Sequence, residues 1–88
     1  MEIRKKVLEI THLAMEVKDL GYDCFVEYAA HIDELSVRLF DGKWEPEKNP
    51  LRASFYLTEE EALLKAESVI YQLKRILNNN EIDYDLAF

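Results

Sequence analysis

The chain reads as an α+β protein: a two-layer α-β-β-β-α fold in which a three-stranded antiparallel sheet carries both helices on one face. Two observations predict it. The spacing of apolar residues changes from helical to alternating near residue 21 and returns to helical near residue 58. Each helical segment has one apolar stripe and the sheet has one apolar face. Laying both helices on that face is the simplest way to bury all three.

The first helix is expected from about Glu2 to Leu20. Ile3, Val7, Ile10, Ala14 and Val17 alternate steps of four and three, which places them on one stripe. Leu13 and Leu20 widen the stripe and Leu8 lies at its edge. Gly21 follows, suited to the left-handed conformation that ends a helix. Residues 23–30 then alternate, with Cys24, Val26, Tyr28 and Ala30 on one side and Phe25, Glu27 and Ala29 on the other. Residues 35–40 alternate again, with Leu35, Val37 and Leu39 inward. The link 31–34 is short enough for a hairpin. Residues 41–50 hold Trp44, Pro46 and Pro50 and read as a structured loop. A third strand spans 51–57, with Leu51, Ala53, Phe55 and Leu57 inward.

Thr58-Glu59-Glu60-Glu61 has the form of a capping box, so the second helix is expected to start there. Ala62, Leu63, Ala66, Val69, Ile70, Leu73, Ile76 and Leu77 form its stripe, and Asn78-Asn79-Asn80 ends it. Residues 1–80 thus make one domain. The tail 81–88 alternates Ile82, Tyr84, Leu86 and Phe88 with polar residues. That spacing suits an added strand, a segment crossing a helix, or a contact with another subunit.

The 88 residues carry 18 acidic and 11 basic side chains, a net charge of −7. The acidity is spread along the chain and repels phosphate backbones, so direct nucleic-acid binding is not expected. No apolar run approaches membrane-spanning length, and the N-terminus mixes charges with apolar residues, so neither a membrane segment nor a secretory signal is expected. Cys24 is the single cysteine and cannot form an internal disulfide, which fits a cytoplasmic protein.

No catalytic, metal or cofactor constellation stands out. His12, His31 and Cys24 show no ligand spacing, and Cys24 is expected on the core face, where a thiol is inert packing. The two glycines, Gly21 and Gly42, cannot make a phosphate loop. Glu59, Glu60 and Glu61 are accounted for by the helix cap. The reading is therefore non-enzymatic.

The outward sheet face is more informative. Phe25, Arg38, Phe40, Trp44, Arg52 and Tyr56 are the expected contact residues, since aromatics and arginines anchor interfaces. An open patch of Phe25, Phe40 and Tyr56 would favour a homodimer. The leading expectation is an acidic protein-interaction module, bound to itself or to a host protein. The alternative is a DNA mimic that inhibits a nucleic-acid enzyme, in the manner of anti-restriction or anti-CRISPR proteins. It would use Asp33, Glu34, Glu59, Glu60, Glu61 and Glu67.

The element order resembles that of double-stranded RNA-binding domains. In those domains the second helix opens on a lysine-rich stretch, whereas this chain has Thr58-Glu59-Glu60-Glu61, so the RNA-binding function does not carry over. The stretch from Phe25 to Phe40, followed by Gly42-Lys43-Trp44, resembles small prophage proteins of Gram-positive bacteria. That resemblance implies a phage-associated accessory protein and assigns no functional residues.

Overall fold

The computed structural model describes residues 2–86 and 88. Its elements are α1 (Glu2–Asp19), β1 (Cys24–Ala29), β2 (Glu34–Leu39), β3 (Leu51–Tyr56) and α2 (Ala62–Asn79). The sheet order is β1-β2-β3 and both pairings are antiparallel. α1 packs along β1, α2 along β3, and the helices lie against each other on the same sheet face. This is the α+β arrangement expected from the apolar spacing.

The rows of the inner face follow from the register. Cys24, Leu39 and Leu51 form one row, Val26, Val37 and Ala53 the next, and Tyr28, Leu35 and Phe55 the third. Leu35, Val37, Leu39 and Phe55 are buried beneath Ile10, Leu13 and Val17 of α1 and Ala66, Val69, Leu73 and Ile76 of α2. Tyr28 departs from its expected core position and is exposed: it stands on an edge strand, near the hairpin, with its hydroxyl bound to Asp33 Oδ1. Leu63, placed on the α2 stripe by spacing, is also exposed. Across the helix pair, Lys6 reaches Glu67 at 2.6 Å and Lys74 reaches Glu9 at 3.3 Å. These are surface pairs and contribute little.

Two glycines stand where φ is positive, Gly21 (+98°) ending α1 and Gly42 (+92°) opening the loop. That loop is built around one ammonium group. Lys48 Nζ donates to the carbonyls of Asp41 (3.0 Å) and Lys43 (2.9 Å) and lies 3.4 Å from Glu45. Asp23 ties the loop to the sheet: its N–H donates to the Gly42 carbonyl, and its carboxylate accepts from the Trp44 N–H at 2.6 Å.

One further expectation needs correction. The second helix begins at Ala62, and its N-cap, Glu61, makes no side-chain cap bond. Thr58 to Glu61 form turns, because Glu59 is held elsewhere, as described below. Of the courses open to the tail, its described residues take the one against a helix and form no strand. The tail turns back at residues 83–86 and is fastened to α2 by Gln72, which is 0% exposed. Gln72 Nε2 donates to the Asp83 carbonyl (2.9 Å) and its Oε1 accepts from the Asp83 N–H (3.1 Å). Arg75 Nε stands 3.1 Å from Asp83 Oδ2, and Ile82 joins the core. The expected end of α2 is correct: Asn80 takes the left-handed conformation and donates to the Ile76 carbonyl.

Candidate functional site

The outward sheet face does not carry the apolar patch expected of it. Its rows are Phe25–Arg38–Arg52, Glu27–Ser36–Ser54 and Ala29–Glu34–Tyr56. Phe25 and Tyr56 therefore stand at opposite ends of the face, with charged and hydroxyl side chains between. Phe40, expected to be exposed, is only 3% exposed and lies outside the main core cluster. Its ring centroid is 5.5 Å from that of Phe25. The Arg38 guanidinium covers the Phe25 ring at 4.8 Å and donates to Glu27 at 2.8 Å. Phe25, Arg38 and Phe40 thus form an internal stack. Phe40 is buried beside Phe25, and its N–H donates to the Asp23 carbonyl. Arg52, Trp44 and Tyr56 remain exposed but far apart along the face and loop. The centre of the face is a shallow polar depression lined by Glu27, Ser36, Arg38, Arg52 and Ser54.

The sheet edges are more telling, and they differ. Hydrogen bonds that continue the ladders past their ends fix which residues bond to which neighbour. The Phe40 N–H donates to the Asp23 carbonyl (2.9 Å) and the Leu57 N–H to the Asp33 carbonyl (2.9 Å). By antiparallel alternation, Phe25, Glu27 and Ala29 bond to β2, while the N–H and C=O groups of Cys24, Val26 and Tyr28 point out of the sheet. On β3 the outward groups are those of Arg52, Ser54 and Tyr56.

The β3 edge is protected. Pro50 precedes it, Arg52 puts a charge on it, and Glu59 closes its end. The Tyr56 N–H donates to Glu59 Oε1 (2.8 Å) and the Glu59 N–H donates to the Tyr56 carbonyl (3.1 Å). Lys65 Nζ holds the other oxygen of Glu59 at 2.7 Å. Lys65, foremost, and the Tyr56 N–H hold the Glu59 carboxyl below its ordinary pKa. These are the usual devices that blunt an exposed strand.

The β1 edge has neither a proline before it nor a side chain closing its end, and its one charge, Glu27, is paired with Arg38. Among the described residues, the outward groups of Cys24, Val26 and Tyr28 have no backbone or side-chain partner. α1 stands over this edge and presents a second stripe to it: Leu8, 71% exposed, Thr11, and Met15, 65% exposed, at steps of three and four. Two apolar grooves follow the line between helix and strand. One, about 370 Å³, is lined by Arg4, Val7, Leu8, Tyr28 and Leu57. The other, about 340 Å³, is lined chiefly by Thr11, Ala14, Met15, Lys18 and the strand residues Cys24 to Val26. Arg4 and Lys18 thus mark the two ends, and neither has an acidic partner among the described residues. Asp23 borders the second groove with its carboxylate already accepting from Trp44.

The remaining chemistry is spare. Burial pushes the Cys24 thiol up to about 12, as packing on a core face requires. His12 sits on the exposed side of α1 beside Glu16. Among the described residues no cluster of three or more His, Cys, Asp and Glu has metal-binding geometry, and no helix is long and apolar enough to cross a membrane. Of the carboxylates considered for DNA mimicry, Glu59 serves the sheet edge, Glu67 pairs with Lys6, Asp33 accepts from Tyr28 and Glu34 from Ser54.

Comparison with protein-family models, curated proteins and solved structures returns no match.

Sequence reasoning missed the β1 edge because edges exist only once strand order is known. Leu8, Thr11 and Met15, the first and last of them exposed, form a weaker stripe beside the core one.

Proposed function

We propose that the chain is a non-catalytic protein-interaction module that takes an extended segment of a partner protein as a fourth strand along β1. The observation that carries this reading is the contrast between the two edges: the outward backbone groups of three β1 residues are unpaired beside an exposed apolar helix stripe, while the β3 edge follows Pro50 and is closed at Tyr56 by Glu59. A partner strand would complete the ladder with the N–H and C=O groups of Cys24, Val26 and Tyr28, the mode of recognition known as strand addition.

Magnitudes say what else is needed. Each backbone hydrogen bond gives a net of about 1 kcal/mol. Association and ordering of a flexible segment cost at least as much as several such bonds together. Backbone pairing alone therefore does not hold a partner, and the apolar grooves beneath Leu8 and Met15 supply the rest. Burying one leucine-sized side chain there contributes roughly 1.5–3 kcal/mol.

The test is selection of peptides from a random nonapeptide display library on the wild-type protein, counter-selected on Val26→Pro. Proline at position 26 removes an outward N–H without touching the β2 ladder. Peptides should bind the wild type, fail on Val26→Pro, and protect the amides of Cys24, Val26 and Tyr28 from exchange. Peptides that bind both proteins equally, or that map to another surface, contradict the proposal.

A further inference from the structure

We infer that the occupant of the β1 edge is a single extended strand bearing two apolar side chains four residues apart, with a carboxylate two residues beyond each. This rests on the strand-addition reading above and adds the chemistry of the partner.

That the occupant is a strand, and not a second whole copy, follows from widths. Strands repeat at about 4.8 Å, so a three-stranded sheet is about 14 Å wide. Two packed helices need about 8–10 Å between axes. The helix layer is therefore wider than the sheet and overhangs its edges, which is how Leu8, Thr11 and Met15 come to stand over β1. Continuing the sheet through a second β1 would repeat the unit every ~14 Å and bring two α1 axes to within about 4–6 Å, well inside helix contact distance. A lone strand brings no helix with it and fits beneath the overhang.

The side-chain pattern follows from register. Partner residues opposite Cys24, Val26 and Tyr28 point toward α1, as those residues themselves do. The outer two, four residues apart, meet the grooves at Met15 and at Leu8. The middle one lies opposite Val26, at the border of the groove beneath Met15.

The charges follow from Arg4 and Lys18. Fourteen residues separate them on α1, about 21 Å at the helical rise. Partner residues two positions outside each apolar one also point toward the helix and stand about 26 Å apart. Arg and Lys stems of several ångströms span that difference. Both cations lack an acidic partner among the described residues, so carboxylates on the incoming strand complete them. The chain as a whole carries −7 and attracts basic peptides at long range; the local cations oppose that bias, and the experiment reads which one wins.

The same nonapeptide library decides it, selected in parallel on wild type and on an Arg4→Glu/Lys18→Glu double variant, each counter-selected on Val26→Pro. A Leu8→Asp/Met15→Asp variant, altered only at exposed helix positions, gives a second negative control whose folding is checked by circular dichroism. We expect wild-type peptides enriched in Asp or Glu at both flanks and in large apolar residues four apart. Their affinity should fall roughly five- to tenfold on the charge-reversed protein, and fall again as salt is raised. Peptides selected on the reversed protein should carry lysine or arginine at the flanks. Flanks enriched in basic residues on the wild type, or affinity unchanged by charge reversal, overturn the inference while Val26-dependent binding still upholds strand addition. An absence of any Val26-dependent peptide overturns both.

Discussion

Glu59 and Tyr56 close one end of the sheet by exchanging two hydrogen bonds, from the Tyr56 N–H to the Glu59 carboxylate and from the Glu59 N–H to the Tyr56 carbonyl. The glutamate that looked like part of a helix cap is instead an edge guard on β3. Nothing equivalent stands on β1 among the described residues, and that asymmetry is the basis of the functional reading.

The guard has a pH signature. The Glu59 carboxyl is held below its ordinary value by Lys65 and by the Tyr56 N–H. A group with a depressed pKa in the folded state adds stability above its unfolded pKa and loses it as pH falls through the folded one. Wild type should therefore exceed Glu59→Gln in urea midpoint at neutral pH, and the gap should close as pH drops below the carboxylate range. Thr58→Ala should leave the midpoint nearly unchanged, because the Thr58 side chain makes no cap bond. Urea titrations across pH measure both.

The ladder parity predicts opposite outcomes for proline at adjacent positions. Glu27→Pro deletes an N–H bonded to β2 and should cost about 3 kcal/mol or more. Loss of the exposed Glu27–Arg38 pair accounts for no more than ~1 kcal/mol of that. Val26→Pro removes only an outward N–H and should cost about 1 kcal/mol, from lost packing. Denaturant midpoints of the two variants check this. Equal destabilisation would mean that Val26 is already paired.

Gln72 should be the residue that fastens the tail. It is fully buried, and its amide is satisfied only by the Asp83 backbone among the described residues. Gln72→Ala leaves that backbone pair without partners and should cost about 1–3 kcal/mol. It should also release residues 81–86 to proteolysis before the domain unfolds. Mass spectrometry of a timed digest reads the cleavage site, and intact tails at the onset of global unfolding would contradict it.

Cys24 should be chemically quiet. With its thiol pushed up to about 12, it holds about a thousandfold less thiolate near pH 8 than a thiol at the ordinary 9.0. Alkylation by iodoacetamide should be correspondingly slow in the folded protein and become fast in urea. Rapid modification of the native state would mean that the β1 face of the core is open.

What could be read from residue order is what depends on local spacing. The helical stripes of Ile10, Ala14 and Val17 and of Ala66, Val69 and Leu73, the alternation of Leu35, Val37 and Leu39, and the Asn80 cap are each local, and each was legible. The departures came where a residue answers to a partner that the apolar spacing does not pick out. Glu59 bonds Tyr56 at the end of a strand, and the capping box of Thr58 with Glu61 does not form. Phe40 is buried against Phe25, on the neighbouring strand. The tail alternates like a strand but follows Gln72, whose buried amide becomes apparent only when α2 has its register. The candidate site belongs to this second class, since Val26 is an edge residue only because β1 lies outside β2.

The most direct measurement is amide hydrogen exchange of β1 in the free protein, residue by residue. The account predicts protected amides at Phe25, Glu27 and Ala29 and rapid exchange at Cys24, Val26 and Tyr28. Protection of Val26 equal to that of Glu27 would show the edge already covered, and would contradict the account.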